Sequence, residues 1–173
     1  MLPRVLSLCC CPLLLHLSTA GQSRTAPTQV PDTCAVTRPY QVSLFVPPSP
    51  YPHRPSLSSF WFGTDRLWTS LPVGGAWNGL PHYTPGDPTF RQKLFYWRDG
   101  YDPAIEPQPD LKVTGKRLDA PAPPLHVDKP TSGWVKRDQP FMLTGINFPT
   151  LGCWEITGRY KDDGLTFVIW VTK

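Results

Sequence analysis

The chain predicts an all-β fold: an antiparallel immunoglobulin-like β-sandwich with long Gly/Pro-rich loops and minimal helix. Three observations predict it. From Gly152 to Val171, two runs rich in Trp, Tyr, Ile, Val and Thr flank Asp162-Asp163-Gly164, a turn signal tolerant of positive φ, so this stretch reads as a β-hairpin. No apolar 3.6-residue period lasts three turns, and 23 prolines interrupt every stretch long enough to try. Seven or so short strands separated by turn signals, with one cysteine early and one late, suit two packed sheets. The irregular spacing leaves a distorted barrel open.

Taken in order, Tyr40, Val42, Leu44 and Val46 alternate with mostly polar residues and predict a first strand, ended by Pro47-Pro48-Ser49-Pro50-Tyr51-Pro52. Phe60-Trp61-Phe62 and Leu67-Trp68-Thr69 flank Gly63-Thr64-Asp65 as a compact hairpin. Gly74 to Pro88 reads as a long irregular loop carrying Trp77, His82 and Tyr83. Phe90 to Trp97 is a strand with large aromatics on both faces, hence central or covered. Leu111 to Leu118 alternates as another strand before Ala120-Pro121-Ala122-Pro123-Pro124 leaves the sheet. Phe141 to Phe148 and the terminal hairpin complete the set.

Ahead of these elements, residues 1–20 carry Arg4 as their only charge, an apolar run from Val5 to Leu17, and then Ser18-Thr19-Ala20. This is the three-part plan of a secretory signal peptide cut after Ala20. The apolar run is short for a membrane span, which needs roughly 20 residues, so no span is expected once the leader is gone. The triplet Cys9-Cys10-Cys11 invites a lipidated reading, but it precedes most of the apolar core and serves as apolar filler. Residues 21–33 read as a flexible N-terminal arm and 34–173 as a single domain of ordinary size.

Removing the leader leaves 16 basic against 13 acidic residues with no basic run, which disfavours nucleic acid as a partner. It also leaves Cys34 and Cys153 as the remaining cysteines, which in an exported chain read as a structural disulfide joining the first and last strands.

Cys34-Ala35-Val36-Thr37, Leu67-Trp68-Thr69, Lys93 to Arg98, Gly115 to Leu125, and Phe148 to Arg159 with its Gly152-Cys153-Trp154-Glu155-Ile156-Thr157-Gly158 core carry a resemblance. In these stretches, and in this order, the chain resembles a group of uncharacterised exported bacterial proteins. The resemblance implies bacterial origin, export and a paired cysteine frame. It implies no activity, and no functional residue is carried over from it.

Chemistry is sparse. His53, His82 and His126 lie far apart without ligand spacing, so neither a metal nor another cofactor is expected. No nucleophile elbow, zinc-protease helix, phosphate loop or calcium loop is present. Asp99, Asp102, Glu106 and Asp119 are the carboxylates that could pair at one pole of a sandwich as a glycosidase pair would, which sets the alternative of an envelope hydrolase. Glu155, between Trp154 and Ile156, is either an outward edge carboxylate or a buried one needing Arg98 or Arg117 as its partner.

Aromatics are the remaining signal. Trp68, Trp154 and Trp170 sit in strand patterns and are expected in the core. Trp77, His82, Tyr83 and Trp134 are the candidate binding residues, because Trp and Tyr beside polar groups stack on sugars or anchor protein contacts. Of the two tryptophans, Trp77 is expected at the surface, since Gly74, Gly75, Asn78 and Gly79 offer little mass to bury it, and Trp134 is expected beneath its loop. The leading functional reading is a secreted, non-catalytic binding or structural module of the bacterial cell envelope, with a protein or an envelope glycan as partner.

Overall fold

The computed structural model describes residues 29–42, 44–82 and 84–173; the leader and most of the expected arm lie outside the described residues. Ten strands are found there, and no helix. They are β1 (Ser59–Thr64), β2 (Leu67–Pro72), β3 (Ala76–Asn78), β4 (Phe90–Trp97), β5 (Leu111–Arg117), β6 (His126–Val127), β7 (Thr131–Trp134), β8 (Pro140–Phe148), β9 (Gly152–Tyr160) and β10 (Asp163–Thr172). One sheet runs β1-β2-β4-β8-β6, with β7 also on β8, and the other runs β3-β10-β9-β5. All pairings are antiparallel except β3 on β10. The fold is an all-β sandwich.

Alternation explains the layers. Leu94 and Tyr96 of β4 and Met142, Ile146 and Phe148 of β8 are buried against Trp154, Ile156 and Tyr160 of β9 and Phe167, Ile169 and Val171 of β10. The opposite face of β4 is not left to water. Trp61, Trp68 and Trp97 form a second buried cluster, covered by Phe45 and Tyr51 from the proline-rich segment and by Phe95 and Phe141. The two aromatic faces of β4 therefore reflect a central strand covered on both sides.

The hairpins form where the sequence places them, with shifted turns. The β1–β2 register closes Thr64 on Leu67, so the turn is Asp65-Arg66 and not Gly63-Thr64-Asp65. In the terminal hairpin Tyr160 pairs with Asp163, and the positive φ of 54° falls on Lys161 rather than on the Asp-Gly pair.

Of the expected first strand Tyr40–Val46, none of the described residues is in a strand. Pro39 and Pro47 flank the segment, and the Gln41 N–H turns back to the Arg38 carbonyl at 3.0 Å, so no ladder is available. The disulfide Cys34–Cys153 is present, with a Cα separation of 5.7 Å and a sequence separation of 119. It joins a strandless N-terminal segment to β9, the penultimate strand, and not first strand to last. Beside it the Thr37 N–H donates to the Val168 carbonyl at 2.9 Å and the Val168 N–H donates to Thr37 Oγ1 at 3.0 Å, which lays the segment along β10.

Candidate functional site

Trp77 sits in β3, a strand inside the stretch expected to be irregular. Its register opposite Val171 carries the indole into the core, where it packs on Phe148 and Phe167 at about 6 Å and is 9% exposed. The expectation that Trp77 lies at the surface is overturned. Its glycine neighbours bring no mass, but the facing sheet does.

Above Trp77 the first sheet is split. β2 and β4 pair at Trp68↔Trp97 and Thr69↔Tyr96 and then part. Continued pairing would bring Ser70, Leu71 and Pro72 against Phe95, Leu94 and Lys93. Pro72 has no N–H to give, and the Phe95 carbonyl accepts instead from Thr69 Oγ1 at 2.7 Å. The gap is a slot of about 300 Å³ bordered by Ser59, Ser70, Pro72, Gln92, Lys93, Leu94 and Phe95, with Trp77 on its far side.

On the outer side of the same β1–β2 hairpin lies a larger cleft of about 470 Å³. Leu44, Phe45 and Val46 form one wall, Ser59, Phe60 and Trp61 of the edge strand β1 form the other, and His53, Arg54, Leu57 and Val73 complete the rim. Of the nine exposed large apolar side chains among the described residues, four border it: Leu44, Val46, Leu57 and Val73. Leu57 is 98% exposed, which places a full aliphatic side chain in water beside an apolar hollow. Sequence reasoning missed this cleft. Leu44 and Val46 were assigned to strand faces, and the lone Leu57 among serines and prolines was the available signal.

The other candidates do not join either hollow. Trp134 ends β7 and is 52% exposed, with Val135 exposed beside it, so Trp134 is the surface tryptophan that Trp77 was expected to be. Trp134 pairs with Pro140 at the tip of the β7–β8 hairpin. His82 is exposed, its ring 4.9 Å from that of Phe90 and its Nδ1 hydrogen-bonded to the Thr89 carbonyl at 2.8 Å. Tyr83 lies outside the described residues.

The charged candidates are engaged structurally. Arg98 Nη1 donates to Asp163 at 3.0 Å, and Arg66 shares the same carboxylate at 2.8 Å. Arg117 Nε donates to Asp119 at 2.7 Å, and Asp119 also accepts from the Cys153 N–H at 3.1 Å. Gly152, at φ 140°, lies under this clamp: a Cβ there would stand 2.6 Å from Arg117 Nε. The guanidinium holds the Asp119 carboxyl below the usual range, aided by the Cys153 amide. Glu155 therefore takes neither arginine. It is half-buried and lies in register with Lys116 on β5 and Val168 on β10.

Asp102 and Glu106 also serve local structure. Asp102 caps its own loop through the Ala104 N–H at 2.8 Å. Glu106 accepts from the Tyr160 hydroxyl and stands 3.8 Å from Lys161 Nζ. Burial, then Glu106, push the Tyr160 phenol up. Asp119, clamped beside the disulfide at Gly152-Cys153, serves the opposite end of β5 from the loop that carries Glu106. Among the described residues no group of three or more His, Cys, Asp and Glu could hold a metal ion.

Comparison with known proteins finds no match: no family model, no curated protein and no solved structure matches the chain.

Proposed function

We propose that the protein is a non-catalytic binding module, exported to the bacterial cell envelope on an immunoglobulin-like scaffold, which takes an apolar segment of a partner protein into the cleft beside β1. One observation carries this reading: four water-exposed aliphatic side chains converge on a single hollow of about 470 Å³. The wall residues Leu, Val and Phe suit aliphatic or aromatic side chains of a peptide better than the hydroxyl-rich surface of a glycan, which needs polar partners. β1 is the edge of its sheet, so a bound segment also finds strand backbone beside the hollow. Export rests on the leader pattern and on the resemblance to exported bacterial proteins.

The decisive experiment selects peptides from a random displayed library on the whole exported chain. Enriched peptides should be apolar, and Leu57→Asp should abolish their binding with the melting temperature unchanged, since Leu57 touches solvent on nearly all sides. Selected peptides that bind wild type and Leu57→Asp equally would overturn the reading. N-terminal sequencing of exported material tests the compartment: the first residue should be Gly21 and carry no lipid.

A further inference from the structure

We propose that the slot between β2 and β4 is a second binding site, distinct from the apolar cleft, and that it takes a single acidic sugar ring. It lies where the ladder should continue. The missing pairs would be Ser70 with Phe95, Leu71 with Leu94 and Pro72 with Lys93, and these residues, Leu71 apart, border the opening. A slot about three residues long and about 300 Å³ in volume is at the small end of ligand pockets, right for one ring and too short for a peptide strand.

Its chemistry is mixed in the way a sugar requires. The half-buried Phe95 ring and the 9% of Trp77 that stays exposed supply apolar surface for the C–H face of a pyranose, while Leu94 lies buried beneath. Ser59, Ser70 and Gln92 supply hydroxyl and amide groups for its hydroxyls. Gln92 is already partly committed: its Oε1 accepts from the Lys93 N–H at 3.0 Å, filling the place of a missing strand partner. That contact fixes the amide and leaves Nε2 to donate to a ligand.

Lys93 gives the site its charge preference. It is exposed on β4, it is the one charged residue bordering the slot, and no carboxylate stands among the lining residues. A sugar carboxylate placed beside Lys93 gains a charge-assisted contact that a neutral sugar does not. Trp77 belongs to the other sheet through its pairing with β10, so a ring in the slot touches both layers.

The test is saturation-transfer NMR on the whole exported chain with glucuronic acid, galacturonic acid, glucose and N-acetylglucosamine. The two acids should bind, with glucose at least about tenfold weaker, as one charge-assisted contact implies. Lys93→Gln should erase the preference for acids, and Gln92→Ala should weaken binding of both acids, with thermal melts confirming that each variant is folded. Should Gln92→Ala fail to fold, Lys93→Gln, on an exposed side chain, still decides. Leu57→Asp should leave sugar binding intact, which separates this site from the apolar cleft. Absence of acid-sugar binding at millimolar concentration, equal binding of glucose and glucuronic acid, or binding unchanged in Lys93→Gln would each overturn the proposal.

Discussion

Tyr96 of β4 lies against Gly158 of β9 across the sandwich, so close that a Cβ at Gly158 would overlap the phenol ring and its hydroxyl. The ring is fully buried, and its Oη finds no hydrogen-bond partner among the described residues. Tyr96 fits here because the facing sheet presents no side chain at Gly158.

Gly158→Ala should therefore destabilise the protein by about 1–3 kcal/mol, the usual result of overpacking a core that cannot yield. Tyr96→Phe removes a buried hydroxyl without a partner and should stabilise by about 1 kcal/mol. Urea unfolding of both single variants and the double variant measures this. A double variant that simply adds the two effects would show that Gly158 and Tyr96 are not in the contact described.

Replacing Cys34 and Cys153 by Ala together should lower stability by about 4–5 kcal/mol in the chain-entropy account, given their separation of 119 residues. Thiol titration of denatured wild type should detect no free thiol from either residue. Thermal unfolding in the presence and absence of reductant gives the same comparison without mutation.

Acid sensitivity should trace to Asp119. Its carboxyl is held low in the fold by Arg117 and the Cys153 amide, so its contribution is complete above the unfolded value of about 3.9 and is lost as pH falls through the depressed folded value. Asp119→Asn should lower stability at neutral pH and flatten the fall in stability below about pH 4. Urea midpoints across that range decide it.

At the alkaline end the phenols should act in the opposite sense. Burial, with Asp99 and Asp138 adding, pushes the Tyr51 phenol up to about 12, while its hydroxyl donates to the Pro140 carbonyl. Tyr51 stays neutral in the fold, so its contribution is whole below an unfolded pKa of about 10 and disappears as pH rises through about 12. Tyr96 and Tyr160 are raised as well. Absorbance titration of phenolate should show these three ionising above the ordinary phenol value of about 10, and Tyr51→Phe should shrink the alkaline loss of stability.

The strands that alternate strongly were legible in the sequence. β4, β5, β8 and the terminal hairpin lie within a residue or so of the patterned runs because local alternation and burial agree there. β3, β6 and β7 were not legible: they are two to four residues long, and what makes them strands is a partner such as β10 or β8 that is distant in sequence. The Tyr40–Val46 error has the converse cause, a correct period with no partner to pair. For the candidate site, residue type pointed to Trp77 and Trp134, but exposure depends on the facing sheet, and that reversed the two. The two hollows were invisible because each arises where a ladder stops or a loop stands off an edge, which no local pattern encodes.

Cys34 lies outside every strand and meets Cys153 only on the assembled β9–β10 hairpin, with Thr37 docked along β10. Hairpins close in microseconds, whereas a contact spanning more than a hundred residues waits on loop closure. These rates predict an order of assembly: local hairpins first, the two sheets next, and oxidation last, capturing the N-terminal segment on its finished docking surface. A thiol trapped before that point would be trapped on an unfinished surface, so the timing of oxidant relative to the C-terminal hairpin governs how much of the chain reaches this fold.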